Sequence, residues 1–279
     1  MRLLGSAIFL CVLSACGGGD NVAHLPYEPY ADEPPPDTTT LESLMVASSP
    51  TKSKDFYLLP DSDDYDNIPQ DPLNPLTGAK VEVGKLIYHD PAFATEGIAL
   101  RAKTWSCASC HHARAGFKSG MIQGIGEGGE GFGLKGETRG WFDPEIGTQD
   151  ADVQPVTSPT ILNVAFQDVM LWNGQLGNAS NGIINVGIDP EILMTEGTPK
   201  VANAEGLSGI ETQAIAGTGV HRILGFPPEL EDSDYYQMLL DAFPEYSRDE
   251  LHKSSTRAIA AFERTVLANQ SPFQLWLRG

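Results

Sequence analysis

The sequence predicts a mainly α-helical domain with long irregular connections, carried behind a disordered N-terminal tether. Three observations support this. Val83, Leu86 and Ile87 share one face of a 3.6-residue period, and Leu251, Ile259, Phe262 and Val266 follow near-helical spacing further on. Strand-like alternation at period two is scarce. Between Gly116 and Gly140 stand ten glycines, too many for a helix or a central strand.

In chain order, residues 1–15 read as a secretory signal. Arg2 gives a positive start, and Leu3 to Leu13 is apolar apart from Gly5 and Ser6, too short a run to span a bilayer. Leu13-Ser14-Ala15-Cys16 has the layout of a lipobox, which makes Cys16 the lipid-modified first residue of the mature chain. The plainer alternative is an ordinary cleaved signal beside an unrelated Cys. Gly17 after Cys16 favours the outer membrane, so the expected location is the periplasm or cell envelope, with membrane contact through a lipid anchor. Residues 16–66 read as a flexible tether, with Gly17-Gly18-Gly19, then Pro34-Pro35-Pro36, then acids and threonines. The run Asp61-Ser62-Asp63-Asp64-Tyr65-Asp66 lacks the Gly and distal Glu of a calcium-binding EF-hand. The folded domain is expected over 67–279.

Charge narrows the partners. There are 37 acidic residues against 18 basic ones, a net charge of −19. Nucleic acid is disfavoured, since phosphates need the opposite sign. A cationic protein partner suits this surface, and so does simple solubility.

The chemistry lies in Cys107-Ala108-Ser109-Cys110-His111, the C-x-x-C-H pattern of covalent haem attachment. Two thiols at this spacing reach two vinyl groups of one porphyrin, and the adjoining His falls beneath the iron as an axial ligand. A redox C-x-x-C would open a helix after a strand, and no strand pattern precedes this one. A zinc site would need a second pair of ligands. One motif implies one covalent haem c. By residue type, the sixth iron position has His89, His221, Met121, Met170, Met194 and Met238 as candidates, while His112 reads as a surface residue. Gly126-Glu127-Gly128-Gly129-Glu130-Gly131 matches G-x-G-x-x-G. It lacks the strand and helix of a dinucleotide site and reads instead as a flexible loop near the cofactor. Ser247 and Glu250 have capping-box spacing at the start of the last long helix.

A wider pattern surrounds the motif. Val83-Gly84-Lys85-Leu86-Ile87-Tyr88-His89-Asp90-Pro91, Ser158-Pro159-Thr160-Ile161-Leu162-Asn163, Leu171-Trp172-Asn173-Gly174, Glu211-Thr212-Gln213-Ala214 and Arg257 to Thr265 with Ser271-Pro272-Phe273 occur in this order. Together they resemble the N-terminal haem domain of the bacterial di-haem cytochrome c peroxidases and the related MauG proteins. The resemblance implies a cytochrome c-like haem domain that reduces hydrogen peroxide. The electrons would come from a small cationic donor, a cytochrome or a cupredoxin. It further implies that Glu211 moves a proton between the peroxide oxygens, and it admits a bound calcium ion. From the residues alone, Glu211 reads equally as a capping-box carboxylate paired with Ser208.

The chain departs from the family at several points. Trp172-Asn173-Gly174-Gln175 replaces Trp-Asp-Gly-Arg, Met170 stands where many members place a distal Gln, and no His lies between His112 and His221. Some 30 residues between Asn178 and Glu211 have no clear counterpart in the shorter members. The chain has no second C-x-x-C-H, as expected of a truncated product, a partial sequence or a half with a separately encoded partner; a second haem domain or a homo-oligomer is an expected partner, and peroxide turnover by this polypeptide alone is expected to be poor. The competing function classes are a single-haem electron carrier and a redox-inert surface lipoprotein.

Overall fold

A computed structural model describes residues 39–95, 97, 102–141, 151–177, 199–223 and 226–279. The chain divides into two units, Met1–Ser53 and Lys54–Gly279. The signal sequence, Cys16 and the Gly and Pro runs lie outside the described residues. In the first unit, helix α1 (Thr39–Ser48) closes with the Ser48 hydroxyl donating to the Leu44 carbonyl at 2.7 Å.

The second unit is mainly helical, as expected. Its helices are α2 (Gly78–His89), α3 (Gly209–Val220), α4 (Asp234–Ala242), α5 (Leu251–Arg264) and α6 (Pro272–Arg278). Two small antiparallel ladders pair β1 (Gly129–Glu130) with β2 (Gly140–Trp141), and β3 (Val169–Met170) with β4 (Leu176–Gly177). Local chemistry starts the helices. Thr77 Oγ1 accepts from the Lys80 amide at the head of α2, and Ser271 does the same for Gln274 at α6, where Pro272 takes the first position. Ser247 and Glu250 bond each other as the capping box predicts, around a 3-10 turn (Arg248–Glu250) that leads into α5.

Helix α5 is the axis of the core, buried on almost every side. Its hydroxyls are satisfied within the helix: Ser254 and Ser255 donate to the Leu251 carbonyl, and Thr256 to that of Lys253. Helix α2 crosses it at Gly84, where a Cβ would fall 1.8 Å from the Ala258 carbonyl oxygen, so backbone meets backbone there. Val83, Ile87 and Tyr88 of α2 join Ala258, Ile259 and Phe262 of α5 in the main apolar cluster.

The tether expected over 16–66 ends earlier than the sequence suggests. From residue 54 the chain is packed on the C-terminal helix. The Leu59 amide donates to Gln274 Oε1 at 2.8 Å, and Gln274 Nε2 donates to the Tyr57 carbonyl at 2.9 Å. Asn269 and Arg278 donate to the carbonyls of Pro60 and Leu59. This polar stretch has no core of its own; side chains more than 200 positions later complete its backbone hydrogen bonds.

Candidate functional site

The residues Trp105 to Phe117 form one tight unit. The Cys110 and His111 amides both donate to the Cys107 carbonyl, at 3.2 and 3.1 Å, closing a single turn that sets both thiols and the imidazole on one wall. The chain then bends through Gly116 and Phe117, both at positive φ, and brings the Phe117 carbonyl back to His111 Nδ1 at 3.0 Å. A carbonyl only accepts, so Nδ1 carries the hydrogen and Nε2 keeps its lone pair. Burial holds the His111 pKa below its ordinary value, against the hydrogen bond to Phe117, which raises it. A neutral imidazole with a free Nε2 is the form that binds a metal.

The thiols are equally telling. Cys107 and Cys110 are unpaired, and burial pushes each up to about 12; nearby Glu263 adds to this for Cys107, as Asp152 does for Cys110. A redox C-x-x-C works by the opposite shift, toward thiolate.

All three residues line one cavity that is partly open to solvent. Its walls are mostly apolar, with Trp105, Ile161, Val164 and Ile259 among them. Two buried polar atoms on the lining, Ser158 Oγ and Gln213 Oε1, have no hydrogen-bond partner. Gly217 also lines it, and a Cβ there would meet nothing within 4 Å. The donor set and the mostly apolar lining fit a haem, with Cys107 and Cys110 to hold it and His111 to face the iron.

Of the sixth-position candidates, Met170 and His221 line this cavity. His221 is held by two other lining residues: its Nδ1 lies 2.8 Å from Asp152 Oδ2, and its carbonyl accepts from Trp105 Nε1 at 2.8 Å. His89 is exposed and bonded to the Lys85 carbonyl, Met121 and Met238 are not on the lining, and Met194 lies outside the described residues.

Glu211 is placed differently from either sequence reading. Its carboxylate is fully buried and takes two bonds from Arg264, at 2.9 and 2.5 Å, and one from Asn74 at 3.2 Å. It does not line the cavity. Nor is Ser208 its capping partner, since the Ser208 hydroxyl donates to Asp71 instead. On α3 the cavity takes Ile210, Gln213, Ala214, Gly217 and Thr218; Glu211 stands at the edge of that face, and Arg264 and Asn74 hold its carboxylate in the interior instead. Gln213 and Thr218 are the polar side chains that this helix presents to the cavity.

Two further expectations are corrected. His112 is buried, with Nε2 3.0 Å from the Ser109 carbonyl, because the glycine-rich loop lies over it and Gly136 packs on its ring. That loop is pinned rather than flexible. The buried Arg139 guanidinium donates to the carbonyls of Ile125, Gly126 (2.7 Å) and Gly131 (3.0 Å). The G-x-G-x-x-G stretch thus turns carbonyls toward a cation instead of amides toward a phosphate. The Trp172-Asn173-Gly174-Gln175 segment forms the β3–β4 turn, with Leu171 on the cavity lining and Trp172 fully exposed.

Comparison with known proteins bears on the whole of this unit. Residues 78–279 match the family model of the di-haem cytochrome c peroxidases. The chain is 26% identical over 205 residues to the cytochrome c peroxidase of Escherichia coli, covering 74% of this chain and 32% of that protein. It is 24% identical to the cytochrome c551 peroxidase of Pseudomonas aeruginosa (74% and 44%) and 22% identical to the methylamine utilization protein MauG of Methylorubrum extorquens (77% and 45%). A solved MauG-like protein associated with microbial copper homeostasis aligns with a TM-score of 0.45 at 20% identity, over 80% of this chain and 50% of that one. The chain spans about a third to a half of the length of these relatives.

Proposed function

Because the chain belongs to the di-haem cytochrome c peroxidase family, we propose that it carries one c-type haem, bound covalently through Cys107 and Cys110 with His111 as axial ligand, and serves the reduction of hydrogen peroxide. The observation that carries this reading is the convergence of two unpaired thiols and a neutral, Nδ1-anchored imidazole on the wall of one large apolar cavity. When bound, the haem supplies the iron at which peroxide is reduced. The protein's part is to bind, orient and exclude water. His111 is aimed by the Phe117 carbonyl, Trp105, Ile161 and Ile259 line the pocket, and Gln213 offers an amide toward a ligand in it. On this reading Glu211 acts through the fold, by fixing α3 against α5, and the proton work falls to cavity-lining groups.

The reading extends to partners and place. Electrons come from a small cationic cytochrome or cupredoxin drawn to the acidic surface, through a second haem domain. Cys16 anchors the protein in the cell envelope. With one haem in this polypeptide, peroxide is consumed slowly or stoichiometrically until that second domain is present. No helix of the described residues is long and apolar enough to cross a membrane.

A single-haem electron carrier is the second reading, favoured by the presence of both Met170 and His221 on the cavity lining. The absorption and EPR spectra of the purified ferric protein decide between them. A high-spin component that shifts on cyanide addition supports the peroxidase reading, and a purely low-spin spectrum insensitive to cyanide supports the carrier.

A further inference from the structure

Glu263 lies on α5 four residues after Ile259, so the two project from one face of the helix, and both line the cavity. Its carboxylate has no hydrogen bond or ion pair with any described residue. The charges acting on it are Glu211 on α3, which repels, and Arg264 on α5, which attracts; its own field reaches Tyr88 on α2 and Cys107 in the attachment turn. Among the described residues, no other element packed against α5 brings a charged group to bear on it. Arg264 cannot swing over to neutralise it, because its guanidinium is held by Glu211 and by the Pro69 carbonyl. An unpartnered carboxyl among mostly apolar walls favours its protonated form. Burial first, then Glu211, pushes Glu263 up to about 8, within reach of exchange near neutral pH.

We propose that Glu263 is the proton-carrying side chain of the cavity, taking up a proton at its carboxyl as an electron enters the site and returning it as the electron leaves. This rests on the haem reading above. The balance is H2O2 + 2e− + 2H+ → 2H2O, with electrons from the reduced donor protein and protons from solvent by way of the carboxyl. A unit charge roughly 10 Å from a carboxyl, at an effective dielectric of about 20, changes its proton affinity by roughly tenfold. Glu263 is suited to this coupling because its neighbouring carboxylate, Glu211, is held in an ion pair with Arg264 while Glu263 is not.

The test is spectroelectrochemistry of the haem-loaded full chain between pH 5 and 10. In the unmodified protein the midpoint potential should fall as pH rises toward and through 8. The whole fall should amount to about a tenfold change in the redox equilibrium, which is 59 mV for one electron, spread over about two pH units. Glu263→Gln should flatten the profile in that window, and Glu263→Asp should keep a slope displaced along the pH axis. A flat profile in the unmodified chain, or an undiminished slope in Glu263→Gln, overturns the proposal. If Glu263→Gln does not fold, redox-difference infrared spectra of the unmodified chain decide: a carboxylic-acid C=O band that grows on reduction supports it, and no such band overturns it. Covalent haem is scored separately on denaturing gels, and its absence overturns the haem reading and this proposal together.

Discussion

Arg264 and Glu211 meet in the interior as a two-bond ion pair, Nε to Oε1 at 2.9 Å and Nη2 to Oε2 at 2.5 Å, tying α5 to α3 behind the cavity. Removing one partner strands the other charge. Arg264→Met should therefore cost about 3–5 kcal/mol in chemical denaturation. Replacing both residues by apolar ones of similar volume should cost much less. If Glu211→Gln instead leaves stability intact and abolishes the peroxide reaction of the haem-loaded protein, the carboxylate acts chemically and the structural assignment is wrong.

Haem should remain with the polypeptide through acid–acetone extraction, since thioether bonds survive where coordination does not. Cys107→Ala with Cys110→Ala should abolish that retention, and His111→Ala should change the iron spectrum of whatever haem is attached. Pigment appearing in the organic phase from the unmodified protein would refute the attachment.

Gly84→Ala places a methyl group 1.8 Å from the Ala258 carbonyl oxygen, at a crossing where neither partner is a flexible side chain. The helices must part. A loss of about 1–3 kcal/mol or more follows, by analogy with overpacked cores. A thermal or denaturant midpoint equal to that of the unmodified chain would mean that α2 and α5 cross elsewhere.

Stability should depend on pH through Glu263. Its folded pKa of about 8 lies above the ordinary 4.5, so between those values the native state binds the proton and the unfolded state does not. Stability is then fully present below about 4.5 and declines as pH rises toward 8, by on the order of a few kcal/mol. Glu263→Gln should remove this decline. Parallel pH–stability curves for the two proteins would show that the carboxyl titrates normally.

Met170→Ala and His221→Ala distinguish the two cavity-lining candidates for the sixth iron position. Whichever side chain reaches the iron, its loss should convert low-spin ferric haem to high-spin and speed cyanide binding. Spectra unchanged by both substitutions would leave the position without a protein ligand from this pair.

What the sequence disclosed tracks how local each feature is. Cys107, Cys110 and His111 were legible because their chemistry depends on a spacing inside one turn. The capping box at Ser247 and the apolar face of α5 were legible for the same reason. The placement of Glu211 was not legible, because its orientation is decided by Arg264, 53 positions away. The order of residues 54–66 depends on Asn269, Gln274 and Arg278, which no local window contains. Glu263 gave no sign of its role, being one acid in a helix until packing enclosed it beside the cavity.

The acceptor that orients His111 is a main-chain carbonyl, not an aspartate or glutamate. A carboxylate in that place would draw the imidazole toward imidazolate, and any drift at one codon would alter the electron richness of the axial nitrogen. The Phe117 carbonyl is neutral and belongs to whatever residue occupies the bend. The basicity of His111 Nε2 is therefore set by the course of the backbone at Gly116 and Phe117. Met170 and Gln213, elsewhere on the lining, can change their chemistry while that anchor stays constant.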